Sequence, residues 1–401
     1  MIGSGVSGLG AAYLLGRVHE VSLYERDVRP GGHVNTVEHR GLSLDTGFIV
    51  HNAPNYPHLG RLFQDLGVRV QTSEMSFSVS CGGCGLEWSG RRPFAQPLNL
   101  ARPRFHRFLL EVTRWLRTAV STLDTAEGLT LGQYVERHGY SERFRTHFLV
   151  PLTSALWSTA PERALDFPAD HAIRFFDHHG MLGFERALWR TVSGGSRRYV
   201  DALLERFTTG GRLRLGVGVR AVRRTADGAD LTTDDGLTTS FDKVVIATHA
   251  DQALALLVDP SPAERSALGA FRYTANETVL HTDERLLPRA RAARASWNYQ
   301  LNGSTKPTAT YYLNRLQRLD ADEHYCVTLN RTEAIDPERV IMQTVYEHPL
   351  YTVETLDGQR SLEALQGSRH THYAGAYLGN GFHEDGLASA VRAAKALGVD
   401  W

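Results

Sequence analysis

Three glycines, Gly3-x-Gly5-x-x-Gly8, open the sequence, and Glu25 follows 22 positions after the first of them. That spacing can hold a dinucleotide. Gly3 allows a tight turn, Gly5 lets the backbone approach a pyrophosphate, Gly8 lets a helix pack on its strand, and the acid accepts hydrogen bonds from a ribose. The unpaired N–H groups of the first helical turn, around Val6 and Ser7, would face the anion. The plain alternative is a glycine-rich turn without a ligand, since 37 of 401 residues are glycine. The surroundings favour the nucleotide: a helical pattern over 6–16, a strand-like alternation over 20–25 and a further doublet in Arg29-Pro30-Gly31-Gly32. A second spacing, Cys81-x-x-Cys84, is that of a metal or redox pair. Zinc takes four ligands and the sequence shows no second pair, so this doublet reads as a tight hairpin loop and no metal is expected.

These residues need a scaffold, and a chain of this length is expected to build two domains. Hydrophobic content of 42% and charged content of 22% fit a soluble globular protein. Basic and acidic residues balance at 44 each, which excludes a general nucleic-acid binder. No run of about 18 apolar residues occurs, so no membrane-spanning helix is expected. The glycine loop leaves no room for a signal peptide, and the cytoplasm is the default location. Only Met1 and Ile2 precede Gly3, so the first strand is expected to be nearly missing and the start of the chain to be open to truncation.

Further along, 54–67 reads as a helix, 74–80 and 86–88 as a hairpin around the cysteines, and 93–187 as a mainly helical block. In that block Phe105, Phe108, Leu109, Val112, Trp115 and Leu116 form an apolar stripe, with Arg104, Arg107, Arg114 and Arg117 off it. The stripe reads as a core-facing helix; a basic helix docked on an anionic membrane is the sharper alternative. The stretch 212–241 reads as a strand meander with Asp-Gly turns, and 241–248 as a buried parallel strand. Strands of a second sheet are expected over 277–282, 294–300, 308–314 and 325–329, then a strand over 371–376 and a last helix over 387–397. The expected fold class is α/β: a discontinuous Rossmann-like nucleotide domain with a parallel sheet and a meander (1–75, 191–258 and 366–401) and a substrate domain of mixed sheet and helices (76–190 and 259–365).

Taken together, these strings resemble the FAD-dependent amine oxidase-like flavoproteins, the superfamily that also holds protoporphyrinogen oxidases and carotenoid desaturases. The marks are the opening glycines, Glu25-x-x-x-Arg29-x-Gly31-Gly32, Ala247-Thr248, and Ala374-Gly375 followed by Asp385-Gly386-Leu387. The chain is similar in particular to a bacterial branch labelled as NAD/FAD-binding proteins. That branch carries His33-x-Asn35-Thr36, Asp45-Thr46-Gly47-Phe48, Trp157-Ser158-Thr159, Gly194-Gly195-Ser196-Arg197, Trp297-Asn298-Tyr299 and the 381–386 loop. The resemblance implies FAD as cofactor. Glu25, with Arg26 beside it, would meet the ribose, and Arg29, Gly31 and Gly32 would lie along the pyrophosphate and ribityl chain. His33, Thr46, Gly47, Ala247 and Gly375 would line the same cofactor, and the backbone of Val219 would meet the adenine. The last helix would aim its N-terminus, at Asp385, Gly386 and Leu387, at the flavin, where a positive helix end stabilises negative charge.

Two departures bear on the activity. Family members often carry an acid after the C-terminal Ala-Gly; here Ala376 stands there, and either Glu384 or Asp385 substitutes or the contact is lost. Many amine oxidases place a lysine near flavin N5, whereas the three lysines here are Lys243, Lys306 and Lys395, with Lys306 in a loop. The catalytic candidates are His33, His51, Tyr377 and His383, of which His33 and His383 lie in glycine-rich segments, and the pocket walls are Trp157, Trp297, Tyr299 and Tyr346. The expected activity is that of an FAD-dependent oxidase, dehydrogenase or desaturase. It would take a hydride from a C–H bond of a hydrophobic, lipid or fatty-acyl substrate onto flavin N5, with oxygen, a quinone or another carrier as electron acceptor. An amine oxidase proper and a non-catalytic FAD-binding partner subunit are the alternatives, and contact with the inner face of a membrane is a further expectation.

Overall fold

A computed structural model describes residues 1–157, 159–183, 187–208 and 211–401. Ser158, in one of the strings quoted above, therefore lies outside the described residues. Ser22–Glu25 pairs in parallel with Arg212–Leu215, and Val244–Ile246 pairs in parallel with Thr371–Tyr373. Ile2 joins the two pairs by parallel bridges to Tyr24 and Ile246. Numbered along the chain, the strands lie in the order 3-2-1-4-5, which is that of a doubly wound dinucleotide-binding sheet. The expected shortness of the first strand holds, but its ladder is well bonded. Ile2 N–H donates to Val245 at 3.0 Å, and its carbonyl accepts from Ala247 at 2.8 Å. Met1 carbonyl accepts from Tyr24 at 3.0 Å, and Gly3 N–H donates to Tyr24 carbonyl at 2.8 Å.

Helices cover one face of this sheet. Val6–Leu15, Pro57–Leu66, Arg197–Thr208 and His383–Ala396 share a core of Leu9, Leu14, Leu62, Val200, Leu203, Leu387 and Ala390. The other face is closed by the expected antiparallel meander, Val219–Arg224, Ala229–Thr233 and Thr238–Phe241. With it pack the helices Ala250–Leu256 and Pro262–Gly269 around Val222, Leu231 and Leu268. The stretch 212–224 is not one meander strand. It breaks at Gly216-Val217-Gly218, and its first half joins the parallel sheet instead.

The second sheet has seven strands among the described residues. In spatial order they are Val340–Leu350, Arg272–His281, Cys326–Leu329, Ala309–Tyr312, Trp297–Leu301, Phe77–Cys81 and Glu87–Ser89. Trp297–Leu301 and Phe77–Cys81 run in parallel and the other neighbours are antiparallel. Val340–Leu350 and the helix Val353–Leu365 were not legible in the sequence. In the helical block, Pro103–Thr118 buries Phe105, Phe108, Val112 and Trp115 as the stripe requires. Trp115 is enclosed by Tyr134, Tyr140, Phe144 and Phe176, with ring centroids 5.8–6.3 Å away. Arg104, Arg107, Arg114 and Leu110 stand exposed on the outer face. No helix among the described residues is long and apolar enough to cross a membrane.

Candidate active site

The carboxyl ends of the parallel strands bring Gly3, Glu25, Ala247 and Gly375 to one edge of the sheet, at the point where strand order reverses. Ligands of open α/β sheets bind there. Gly3 turns with φ of 95°, and a Cβ on it would stand 2.7 Å from the carbonyl oxygen of Ala247. A Cβ on Gly8 would stand 1.8 Å from the carbonyl oxygen of Gly3, so the helix rests directly on the loop. At Gly5 the same construction meets nothing within 4 Å. The helix behind it has neither a side-chain cap nor an acid in its first turn, which leaves its N–H groups and positive end to an outside anion. A pyrophosphate therefore fits this cradle, with the backbone around Gly5, Val6 and Ser7 to hold it.

Glu25 lies at the rim. Its Oε2 accepts from Ser4 N–H and from Ser4 Oγ, both at 2.7 Å, and its Oε1 accepts from Asp27 N–H at 2.9 Å. Ser4 thus fixes the acid beside the loop, while Arg26 is exposed. Arg29 donates to the carbonyls of Val34 at 2.7 Å and Gly32 at 2.8 Å, so its guanidinium braces the second glycine loop from within. Val219 stands at a register shift in the meander, a break that frees backbone groups at a sheet rim.

Several expected contacts are arranged differently. The closing helix begins at His383, a turn before Gly386, because Asp385 Oδ2 accepts from Phe382 N–H at 2.9 Å and stops the helix there. Burial pushes the Asp385 carboxyl up to about 6. Gly386 and Leu387 are instead crossing residues. A Cβ on Gly386 would strike Val6 and Ser7 at 2.8 and 2.9 Å, and Leu387 packs over Gly10. Glu384 turns away from the cradle. It accepts from His58 N–H (2.9 Å), Leu59 N–H (3.0 Å) and His58 Nδ1 (2.6 Å), capping the helix Pro57–Leu66, which has no cap of its own. Gly375 N–H donates to Ser389 Oγ at 2.8 Å.

Beside the cradle lies a group of histidines that only the folded chain assembles. The His33 ring is 5.1 Å from Tyr346, 5.7 Å from His348 and 6.0 Å from His249. His249 stacks on Tyr273 at 4.3 Å and its Nδ1 lies 3.6 Å from Glu347 Oε2. Burial, reinforced by His348, His249 and His383, lowers His33 to about 3, and its Nε2 has no partner. His383 stacks on Phe48 at 4.0 Å, bonds Tyr199 Oη, and is lowered to about 3 by burial and His51. His51, set edge-on to Phe63, is lowered to about 4 by burial and Arg190, and its Nδ1 is unpartnered. His348 is likewise lowered to about 4 by burial and His249. These rings are neutral at ordinary pH.

The wall residues divide. Tyr346 joins the loop to the sheet: its hydroxyl accepts from Asn35 Nδ2 at 3.0 Å and bonds Thr46 Oγ1 at 2.7 Å. A Cβ on Gly47 would stand 1.9 Å from the carbonyl oxygen of His33, so Thr46 and Gly47 back the histidine directly. Trp157 stacks on Phe167 (4.3 Å) and packs at a tilt against Phe175 (4.8 Å), and Phe175 stacks on Phe382 (5.0 Å) at the start of the closing helix. Tyr299 is buried in the same helical core, where burial holds its hydroxyl up to about 12. Trp297 is half-buried, edge-on to Tyr311. Tyr377 is packed in the core beneath the meander, against Phe271 at 5.1 Å. Sequence reasoning missed His249, His348 and Tyr273, which no short-range spacing connects to the glycine loops, and the hub at Asp45. That carboxylate is fully buried and accepts from Thr36 Oγ1 (2.5 Å), Ser196 N–H (2.9 Å), Ser196 Oγ (3.1 Å) and Gln317 Nε2 (3.0 Å). It explains why Asp45-Thr46 and Gly194-Gly195-Ser196 occur together.

The family model described as flavin containing amine oxidoreductase matches residues 6–398. The chain belongs to that family. It is therefore a flavin-dependent oxidoreductase, and its dinucleotide cradle makes the flavin FAD. Curated proteins return no match to this flavoprotein. Solved structures share its fold. The CLA-producing fatty acid isomerase from P. acnes is 16% identical, with 97% of this chain and 96% of that one covered and a TM-score of 0.70. Cyclohexylamine oxidase from Brevibacterium oxydans IH-35A is 14% identical, with coverage of 99% and 97% and a TM-score of 0.67. Putrescine oxidase bound to putrescine is 13% identical, with the same coverage and a TM-score of 0.67.

Proposed function

We propose that this flavoenzyme oxidises a C–H bond of an apolar, non-amine substrate of the lipid or fatty-acyl class. The observation that carries the reading is the character of the side chains around His33 and around Phe382. The side chains there are aromatic or neutral histidine, and the two acids at the start of the closing helix, Glu384 and Asp385, are already engaged by backbone N–H groups. A substrate ammonium would find no free carboxylate in the first turn of the closing helix. The lysines stand elsewhere: Lys243 bonds His370 at 2.9 Å, Lys306 is exposed, and Lys395 is in the last turn of the closing helix.

When bound, FAD supplies the hydride acceptor. The chain's own part is to exclude water and orient the substrate. Trp157, Phe175 and Phe382 present apolar faces, and Tyr346 with Thr46 fixes the loop that carries His33. With its proton affinity lowered by burial, His33 can hold a lone pair at the unpartnered Nε2 towards a polar end of the substrate. Phe94, Leu98, Leu100 and Leu110 are exposed on the helical block beside exposed Arg91, Arg92, Arg104 and Arg107. That pattern supports contact with an anionic membrane surface, from which a lipid substrate would be drawn.

The test is anaerobic reduction of the purified, FAD-loaded protein. Free fatty acids and vesicles of unsaturated phospholipid form one arm, and putrescine and cyclohexylamine the other. Bleaching of the flavin by the lipid arm alone is expected. Bleaching by the amines alone would overturn the reading in favour of amine oxidation. Re-oxidation by air against a soluble quinone then identifies the electron acceptor.

A further inference from the structure

The Cys81-x-x-Cys84 pair gains a third partner in the fold. His147 lies far along the chain, yet its Nε2 is 3.4 Å from Cys84 Sγ, and the ligand atoms of all three residues lie within 4.8 Å of one another. A tetrahedral metal with bonds of about 2.3 Å to sulfur and about 2.0 Å to nitrogen needs a sulfur–nitrogen separation of about 3.5 Å. We propose that Cys81, Cys84 and His147 bind one zinc ion, with a fourth position open to solvent.

Three features point the same way. First, the hairpin is built as a metal-binding turn: Gly85 N–H donates to the Cys81 carbonyl at 2.9 Å, and Cys84 N–H donates to Cys81 Sγ at 3.4 Å. The second bond turns an amide towards sulfur, where it stabilises a thiolate. Second, His147 belongs to a π-helical turn, Arg145–Leu149, set between the α-helical pieces Glu142–Phe144 and Val150–Trp157. Such turns cost hydrogen-bond geometry and recur where a side chain must be re-aimed for function. Third, the histidine's other nitrogen is committed. Thr146 Oγ donates to the Glu142 carbonyl at 2.9 Å, so its lone pair takes the proton of His147 Nδ1, 2.7 Å away. That leaves Nε2 bare and pointing at the sulfurs, as an oriented metal-ligating histidine requires.

The chemistry of the donors selects the metal. Two thiolates and an imidazole suit zinc and exclude magnesium or calcium. Binding releases the two thiol protons to solvent, and the two sulfur charges cancel that of the ion. This neutrality lets the site sit beside Arg102, Arg104 and Arg143, which with Cys84 line a surface cleft of about 510 Å³. Cys84 is exposed and the other two ligands are half-buried, so the ion can enter from solvent. In place, it fastens the edge hairpin of the seven-stranded sheet to the helical segment that carries Trp157.

The test uses the full-length, FAD-loaded protein, freshly reduced, incubated with zinc alone and desalted before metal analysis. One equivalent per chain is expected. Cobalt in its place should give tetrahedral ligand-field bands and thiolate charge-transfer absorption. Cys84→Ser and His147→Gln should each lose the metal. Thr146→Val should weaken binding about tenfold, and Cys326→Ala should retain it. Flavin absorbance in each variant reports an intact fold. A chelator should lower the unfolding temperature of the wild-type protein and leave that of Cys84→Ser unchanged. Failure of the reduced wild-type protein to retain zinc, or equal retention by wild type and both ligand variants, would overturn the assignment.

Discussion

The glycine cradle and the histidine group lie side by side, and they are built on opposite principles. In the cradle, backbone meets backbone: Gly8 sits on the Gly3 carbonyl and Gly3 on the Ala247 carbonyl, with no room for a methyl group at either contact. In the histidine group, side chains meet side chains, drawn from the loop at His33, the turn at His249, the strand at His348 and the helix start at His383. The cradle is specified by what is missing from a few neighbouring residues. The histidine group is specified by a whole fold that must bring distant residues together and keep them dry.

The largest expected effect breaks the cradle at one contact and spares it at another. Gly8→Ala puts a carbon 1.8 Å from a carbonyl oxygen that cannot move without shifting the first strand. It should cost at least about 3 kcal/mol and yield little folded protein. Gly5→Ala, only three residues away, meets nothing in the chain itself. It should leave the apoprotein within about 0.5 kcal/mol of wild type by denaturant titration and weaken FAD at least tenfold by fluorescence titration. Equal folding and equal FAD affinity in the two variants would remove the distinction between a packing glycine and a ligand-facing one.

Acid should break the histidine group next. His33 and His383 are held near 3, and His51 and His348 near 4, against an ordinary value of 6.5. Below about 6.5 the unfolded chain therefore binds more protons than the native one. The stability these rings contribute is fully present above about 6.5 and is lost as pH falls towards their native values. Each contributes a slope of up to about 1.4 kcal/mol per pH unit. Thermal unfolding should show a steep loss of stability between pH 6 and 4 on the order of several kcal/mol. His348→Gln should flatten that slope by roughly one proton; an unchanged slope would place the acid sensitivity elsewhere.

These two regions also account for what the sequence made legible. The opening glycines, the strand ending in Glu25, the meander and the tight cysteine hairpin are local patterns whose causes lie within a few residues, and the fold contains them. The start of the closing helix was misplaced because Asp385 caps it from inside its own first turn, which apolar periodicity does not record. The strand Val340–Leu350 escaped because its exposure is irregular along its length. His147 escaped as a partner of the cysteines because a π turn, which no residue spacing announces, aims it.

Asp45 joins three segments behind the loop that carries Thr46 and Gly47, and its removal should cost no more than the effects above. Its oxygens serve donors from the hairpin at Thr36, the loop at Ser196 and, at Gln317, the end of the short helix Leu313–Leu316 that links two strands of the second sheet. Asp45→Ala leaves several buried donors unpaired, which costs about 3 kcal/mol. Burial raises the carboxyl to about 7, so the protonated form is close at hand, and Asp45→Asn should recover part of the loss. Asparagine no better than alanine would mean that the donors, all reaching an acceptor, demand a full carboxylate.

The smallest effect sharpens where the cradle ends. Ala376 stands where the family resemblance leads one to expect an acid directed at the cofactor, and Glu384 is close enough in sequence to be its expected substitute. In the fold its carboxylate reaches the backbone of His58 and Leu59 instead, capping a neighbouring helix across the molecule. Glu384→Gln keeps one acceptor oxygen and loses the charge, so the cap weakens by about 1 kcal/mol. The unfolding temperature should fall by about 1 °C while FAD affinity and the flavin spectrum stay as in wild type. A drop in FAD affinity without a change in stability would return Glu384 to the cofactor. It would also extend the cradle from a surface made of backbone to one that includes this side chain.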